Sequence, residues 1–469
     1  MQKIFENCYE LDRRCYEKYG LSEEILMEHA AEGMARHIRH HREEKEKILI
    51  VAGPGNNGAD GITLARLLHG DFDVTLYLPY GAKSSMAKLQ YERYRQLGPV
   101  AEEWLPEEAD IIVDALFGAG LSKPLDTRGM ELIDRLNHMN GYKIACDIPT
   151  GLDEKGNPLP IAFHADTTIT MGALKRALFS DHAKRYTGKI EVVDLGVSRT
   201  LYETPSDTYM LEAKDFYPPH RTDPSSHKGY FGHLTVIAGS KRGAAILCAM
   251  AGLRFGAGLV TLLSERYIEN LPYSLMQSGD LPENTTAVAM GMGMGNDYDP
   301  ILIKNEILKR DLSVLLDADL CGISWIKTLL QKCTKTVVTP HPKEFVTLMA
   351  TLGIEEDLPV SEVQRDRFGW AKRFSDAYPE TVLVLKGANT LIAHRGTLYV
   401  NPLGTPVLSQ AGSGDVLSGL IASLLAQGYA PLNAAIQGSL ALTLAARNYR
   451  GADYSATAED LIEAIRWPA

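Results

Sequence analysis

Gln410-Ala411-Gly412-Ser413-Gly414-Asp415 runs directly into Val416-Leu417-Ser418-Gly419-Leu420-Ile421. From Val416 onward Leu417, Leu420, Ile421, Leu424 and Leu425 recur at helical spacing, so the pattern predicts a glycine-rich loop feeding a helix. Gly412 to Gly414 would then offer free backbone N–H groups at the positive end of the helix dipole, where an anionic phosphoryl group fits. A carboxylate beside bound phosphate is repelled unless it has a task. The natural task is taking the proton of a substrate hydroxyl as it attacks phosphorus, which makes Asp415 the first catalytic candidate. The plain alternative is that Ser413 or Asp415 simply caps the helix.

Working outward, the 469 residues are too many for one ordinary core and suit two large domains. Lysine and arginine number 48 against 59 acids, a net charge of −11 without long runs of one sign, which argues against a nucleic-acid partner. Cys8, Cys15, Cys146, Cys248, Cys321 and Cys333 form no CxxC pair, and several sit in apolar surroundings, as buried free thiols do. A reducing cytoplasm is the expected home. The amino terminus has no apolar stretch of signal-peptide length. The most apolar long run, Ala244 to Leu263, is interrupted by Gly252, Arg254, Gly256 and Gly258, so no membrane span is expected.

After an expected amphipathic opening helix, Lys47 to Gly53 reads as a buried strand, GPGNNGADG as its loop and Ile62 to Leu68 as a helix. Short apolar runs follow at Val74–Leu78, Ile111–Leu116, Lys143–Ile148, Thr167–Met171 and Ile190–Leu195, an alternation that implies a parallel sheet. From Ser198 to Ser226 the rhythm is lost in a proline-rich, charged stretch, which places a domain boundary near residue 212. Strands are again expected at His233–Gly239, Gly258–Leu263, Ala287–Met290, Ser313–Asp317, Thr336–Thr339, Val382–Lys386 and Thr390–Ala393. The fold class is therefore α/β, two three-layer domains spanning 1–212 and 213–469, with ligands at the carboxyl ends of the strands. Neither internal repeats nor low-complexity segments occur.

In the first half, Gly53, Gly55 and Gly58 permit tight turns while Asn56, Asn57 and Asp60 bring polar groups into a small space. DALFGAGLSKPL (Asp114 to Leu125) and DIPTGLD (Asp147 to Asp153) each follow a strand, so Asn57, Asp114 and Asp147 should meet at one sheet edge, where oxygen ligands suit a hard cation. Each acid alone could be a turn-capping aspartate. These three loops, with Met27-Glu28-His29-Ala30, resemble the signature of the NAD(P)H-hydrate epimerase family over roughly residues 1 to 210. The resemblance implies a Rossmann-like domain in which Asn57, Asp114 and Thr150 bind potassium. It also implies that Asn56, Asn57, Gly58, Ala59, Asp60, Gly118, Ala119, Gly120, Leu121, Ser122, Lys123, Pro124 and the catalytic Asp147 contact substrate. Two departures stand out. Ala59 replaces a usual glycine, which would cost about 1–2 kcal/mol if that position needed positive φ, and Ala119 stands where a threonine is common.

In the second half the GSGD loop is joined, in order, by HKGYFG (His227 to Gly232), GLRFGAGLVTL (Gly252 to Leu262), DAD (Asp317 to Asp319), TPHPKE (Thr339 to Glu344) and VLKGANT (Val384 to Thr390). The set resembles the ADP/ATP-dependent NAD(P)H-hydrate dehydratase family, a branch of the ribokinase-like fold, over roughly residues 213 to 469. The resemblance implies phosphorylation of the hydroxyl of hydrated NADH or NADPH (NADHX, NADPHX) by ADP or ATP with magnesium, followed by loss of phosphate. It assigns Asp415 as base, Ala244, Gly293, His341 and Asp415 to the substrate, and Lys386, Gly387, Ala388, Asn389, Thr390, Gly412, Ser413 and Gly414 to the nucleotide. For His341 the plain alternative is a loop residue hydrogen-bonded to backbone, and for Asp317 and Asp319 helix capping. Lys343 and Thr405 depart from the usual Gly and Asn, and the loop Ser240–Gly243 is short. The joint expectation is a bifunctional enzyme, without nucleic-acid or membrane partners, forming a homo-oligomer. The rivals are a ribokinase-like kinase of a small alcohol and a non-catalytic, nucleotide-binding first domain.

Overall fold

The computed structural model describes residues 1–101, 106–121, 123–295 and 301–465. The chain divides into two compact units, Gln2–Ser206 and Asp207–Ala469, the latter also taking Met1.

The first unit contains β1 (Gln2–Phe5), β2 (Lys47–Ala52), β3 (Asp73–Tyr77), β4 (Val100–Ala101), β5 (Ile111–Ala115), β6 (Tyr142–Cys146), β7 (Thr167–Met171), β8 (Leu174–Lys175) and β9 (Lys189–Val193). Seven of them form a sheet in the order β4-β3-β2-β5-β6-β7-β9, and its paired strands are parallel. The run KILIVA is apolar throughout because both faces of β2 are covered. Ile48, Ile50 and Ala52 pack with Met34 and Ile38 of the helix Glu23–His41, while Leu49 and Val51 pack with Ile133 and Leu136 of the helix Thr127–His138. Ser22 caps the first of these helices through Ile25 N and Asp126 the second through Gly129 N. The opening residues depart from the expected helix. Gln2–Phe5 is a strand paired with β8, and helix starts only at Tyr9.

The second unit contains β10 (Thr208–Met210), β11 (His233–Ile237), β12 (Leu259–Leu263), β13 (Met276–Ser278), β14 (Ala287–Met290), β15 (Ser313–Leu316), β16 (Thr336–Val338), β17 (Thr381–Leu385), β18 (Thr390–His394) and β19 (Thr397–Asn401). They run β13-β12-β11-β14-β15-β16-β17-β18-β19-β10. From β13 to β17 the pairing is parallel; β18 is antiparallel to both neighbours. The sheet is thus mixed. The chain first reverses across residues 386–389, between β17 and β18, and reverses again at Arg395 and Gly396, both at positive φ (49° and 73°) between the paired His394 and Thr397, the backbone of a two-residue hairpin. Thr208–Met210 joins this sheet beside β19, which draws the division between units to Ser206/Asp207, within the stretch expected to connect them. Helices Arg242–Arg254, Ser413–Ala426 and Pro431–Asn448 pack together over the core. All six cysteines are buried and free, and no helix among the described residues is long and apolar enough to cross a membrane.

Candidate active sites

The carboxyl ends of β2, β5, β6 and β7 deliver the polar groups of the first unit to one edge. The helix after β2 begins at Asn56, not Ile62, so Asn56 to Asp60 form its first turns rather than a loop. The backbone is packed so closely there that a Cβ on Gly53 would sit 1.7 Å from the Leu116 carbonyl oxygen, and one on Gly58 would sit 1.8 Å from that of Gly53. Neither position admits a side chain. Ala59 is helical and buried and takes no positive φ, so its methyl carries no backbone strain.

A cavity of about 740 Å³ opens above this edge. Asn56, Asn57 and Asp60 line it from the helix start, Gly118 to Leu121 and Lys123 from the loop after β5, and Asp147 from the end of β6. Gly58 and Ala59 lie buried behind that wall. Pro124 is not part of the lining, and Ser122 lies outside the described residues. Asp147 holds a left-handed backbone (φ 69°), uncommon for a non-glycine residue, and its Oδ1 accepts from Lys175 Nζ (2.5 Å), Thr170 Oγ1 (3.1 Å) and Met171 N (3.1 Å). Burial pushes the Asp60 carboxyl well above the usual aspartate range, and the nearby charges of Asp147 and Asp12 push it further. Asp12 is likewise raised by burial, against a 2.6 Å hydrogen bond from the Tyr202 hydroxyl.

Lys175, Asp12, Cys8 and Tyr16 are cavity residues that the sequence reading did not single out. Lys175 had only a weak signal, because it and Arg176 form a pair of adjacent cations among Leu174, Ala177, Leu178 and Phe179, and nothing in the run says which of the two is buried. Asp12 and Tyr16 had none, because they sit on an amphipathic helix whose polar face looks solvated until it is seated over a pocket.

The expected cation ligands also gather. Asp114 is fully buried, accepting from Thr150 N on Oδ2 (2.7 Å) and from Thr150 Oγ1 (2.7 Å) and Leu116 N (3.2 Å) on Oδ1. Burial lifts its pKa to about 6 despite those bonds. Asn57 lies against Gly118, where a Cβ would meet its Oδ1 at 2.9 Å, and its buried Nδ2 has no hydrogen-bond partner. The Asp114 carboxylate, the Thr150 hydroxyl and the Asn57 amide oxygen are the kind of oxygen ligands a hard cation takes, whereas the orphaned Nδ2 is a hydrogen donor and ligates none. Among the described residues no cluster of three or more His, Cys, Asp or Glu could hold a metal, so a transition-metal centre has no ligand set there.

In the second unit, Gly412 is the left-handed N-cap (φ 89°) of the helix Ser413–Ala426, and no side chain caps it. The Ser413 hydroxyl bonds to Gln410 O (3.1 Å), so neither it nor Asp415 is engaged as a cap. Asp415 lies in the first turn, half-buried, with its pKa lifted to about 6 by burial first, then by the charges of Asp317 and Glu344, against Lys386. Lys386 Nζ lies 2.8 Å from Asp317 Oδ1 and 3.5 Å from Glu344 Oε2, and a Cβ on Gly414 would stand 3.4 Å from it. Burial works against the Lys386 charge, but Asp317 and Glu344 outweigh it and its pKa is raised. Ser418 Oγ donates to Asp317 Oδ2 (2.8 Å). The backbone from Leu385 to Asn389 is clamped by the buried Arg367, which donates to the carbonyls of Leu385 (3.0 Å), Lys386 (3.2 Å) and Asn389 (3.1 Å). Gly387, Ala388 and Asn389 form the loop that ends at Thr390, the first residue of β18.

Ala244 and Gly293 are brought together: a Cβ on Gly293 would lie 3.2 Å from that of Ala244. His341 takes the plain alternative's geometry. It caps the helix Pro342–Leu352, its Nδ1 accepting from Lys343 N (3.1 Å) and Glu344 N (3.2 Å), and half of its side chain stays exposed. Asp317, by contrast, makes no side-chain cap, its carboxylate being held by Lys386 and Ser418.

Comparison with known proteins gives two family matches, YjeF-related protein N-terminus over residues 23–177 and NAD(P)H-hydrate dehydratase over residues 234–466. A bifunctional NAD(P)H-hydrate repair enzyme of Helicobacter pylori is 39% identical across 99% of this chain and 100% of its own. One from Coxiella burnetii is 34% identical across 97% of each. A solved ADP/ATP-dependent NAD(P)H-hydrate dehydratase from Bacillus subtilis, co-crystallized with ATP/Mg2+, is 26% identical over 54% of this chain and 93% of that one, with a TM-score of 0.46.

Proposed function

We infer the chemistry of both sites from one premise: this chain belongs to the family of bifunctional NAD(P)H-hydrate repair enzymes. It interconverts the R and S hydrates of NADH and NADPH in its first unit and dehydrates the S form in its second, using ADP or ATP.

For the dehydratase we assign Asp415 as the base. A carboxylate with a pKa near 6 is mostly ionised at neutral pH yet basic enough to take the proton of the substrate hydroxyl as its oxygen attacks the terminal phosphorus. The uncapped N–H groups at Gly412 to Gly414 and the Lys386 ammonium stabilise the charge that develops on the phosphoryl oxygens. The magnesium ion arrives with the nucleotide as part of the co-substrate. Phosphate is a far better leaving group than hydroxide. Once the ester has formed, the ring-nitrogen lone pair expels inorganic phosphate, the departing phosphate takes the proton from the next ring carbon to restore the double bond, and Asp415 gives its proton to solvent. The observation that supports this assignment best is the helix start that neither Ser413 nor Asp415 caps, with the acid left unspent beside it.

For the epimerase we assign Asp147 as base and Asp60 as its partner acid, two carboxyls on one cavity, of which burial keeps the Asp60 carboxyl protonated more readily than an ordinary aspartate. Asp60 gives its proton to the departing hydroxyl, so that water leaves with the help of the ring nitrogen. Asp147 takes a proton from the water that returns to either face, which leaves the proton on Asp147, and its passage back to Asp60 through solvent in the open cavity resets the pair. Asn57, Asp114 and Thr150 would hold a potassium ion, which would supply positive charge beside the buried Asp114 carboxylate. We place the enzyme in the cytoplasm, in keeping with its six unpaired cysteines.

Incubation with hydrated NADH and either ADP or ATP tests the reaction and the donor together. Return of the reduced-nicotinamide absorbance with release of inorganic phosphate is the expected result, and a phosphorylated alcohol that accumulates instead would establish the kinase.

A further inference from the structure

The two carboxylate oxygens of Asp147 stand in unlike surroundings. Three donors converge on Oδ1, the Lys175 ammonium at 2.5 Å with the Thr170 hydroxyl and Met171 N–H at 3.1 Å each, and no donor among the described residues reaches Oδ2. Lys175 is 3% exposed and commits its remaining protons to Thr170 Oγ1 and Met171 O, both at 3.0 Å. Both residues line the same cavity.

We propose that Lys175 is a positioning residue of the epimerase, holding Oδ1 of Asp147 so that Oδ2 alone exchanges protons with the substrate. This rests on Asp147 being the base. Lys175 is not itself an acid in the reaction, because every proton it carries already has an acceptor. Burial favours the neutral amine, but Asp147, Cys8 and Asp12 outweigh it, and the ammonium is held more firmly than in water. The charged or titratable groups facing the pair are Asp12 and Cys8 at the amino-terminal helix, Asp60 on the helix after β2, and the buried thiol of Cys146 at the end of β6. A buried lysine tied to a backbone carbonyl and a threonine as well as to its carboxylate cannot swing away when substrate enters. The backbone of Asp147 is itself held in the left-handed region (φ 69°), a conformation that persists only where the surroundings over-determine it.

The experiment uses the full chain with racemic hydrate and measures epimerase kcat and KM against pH for Lys175→Met, Lys175→Arg and Thr170→Val. Removing a cation in contact with a carboxylate favours its protonation, so Lys175→Met should lower kcat roughly 100-fold, leave KM within about 3-fold, and move the acid limb of the profile up by about one pH unit or more. Lys175→Arg should restore the limb. An acid limb that stays in place in Lys175→Met overturns the proposal. If that variant does not fold, judged by circular dichroism, Thr170→Val decides, since it strips one donor from Oδ1. A kcat reduced about 3- to 10-fold at unchanged KM supports the proposal, and wild-type kcat overturns it. Asp147→Ala separates the two claims. If that variant still epimerises, the base assignment itself fails; if it is dead while Lys175→Met keeps its acid limb, only the positioning role falls.

Discussion

Ser418 donates a 2.8 Å hydrogen bond to Asp317, the same buried carboxylate that holds Lys386 on its other oxygen at 2.8 Å. Ser418 lies one helical turn beyond Asp415, so a single helix carries the base and also the anchor of the lysine opposite it. Ser418→Ala leaves one oxygen of a buried carboxylate without its donor. It should cost about 1.5–3 kcal/mol of stability, read by denaturant unfolding, and should raise KM for the nucleotide more than it lowers kcat. An unchanged nucleotide KM would detach Asp317 from nucleotide binding.

Asp415→Asn removes the proton acceptor without removing the shape. Dehydration of the S hydrate should fall by about 10²- to 10⁴-fold, the usual worth of a positioned base, while epimerisation in the first unit proceeds normally. Regeneration of reduced coenzyme at the wild-type rate would exclude Asp415 as base.

The same residue sets a pH dependence with a definite sign. Because its pKa is raised to about 6, dehydratase kcat should decline as pH falls through about 6. In stability the effect runs the other way from an ordinary paired aspartate. The folded state binds this proton more tightly than the unfolded chain does, so the ionised group weighs against folding above pH about 6, and that penalty fades as pH falls through about 6 toward the ordinary value of 3.8. The melting temperature of Asp415→Asn should therefore exceed that of the wild type in mildly alkaline buffer and converge with it in acid.

Replacing potassium by lithium, or making Thr150→Ala, should slow epimerisation of the R hydrate and leave dehydration of purified S hydrate untouched, because the expected cation ligands belong wholly to the first unit. Equal loss of both activities would argue against a cation site at Asn57, Asp114 and Thr150.

Gly58→Ala should destabilise the first unit by about 1–3 kcal/mol through overpacking, since the new Cβ would fall 1.8 Å from the Gly53 carbonyl oxygen. Thermal unfolding of the variant measures it.

What the chain announced and what it concealed divide along physical lines. Strands buried on both faces, such as Leu49 to Val51, were readable because sustained apolarity has few other uses, and Asp114 was readable because it interrupts such a run within the last two residues of β5. The hairpin between β18 and β19 was not, since it turns on Arg395 at positive φ, where the usual signal would be Asn or Asp before glycine. The GNNGADG stretch looked like loop because glycine and asparagine are poor helix formers, and tertiary packing of Gly58 against Gly53 overrode that preference. Arg367 was invisible for a different reason: its partners are three backbone carbonyls some twenty residues away, and carbonyls leave no trace in composition.

The bare contact among Gly53, Gly58 and Leu116 has a consequence for how such a pocket can diverge. Where main chain touches main chain with no methyl between, no graded change is open to mutation, only tolerance or collapse. New preferences for one hydrated coenzyme over another must then arise on the rim, at positions such as Ala119 that face the cavity without buttressing it.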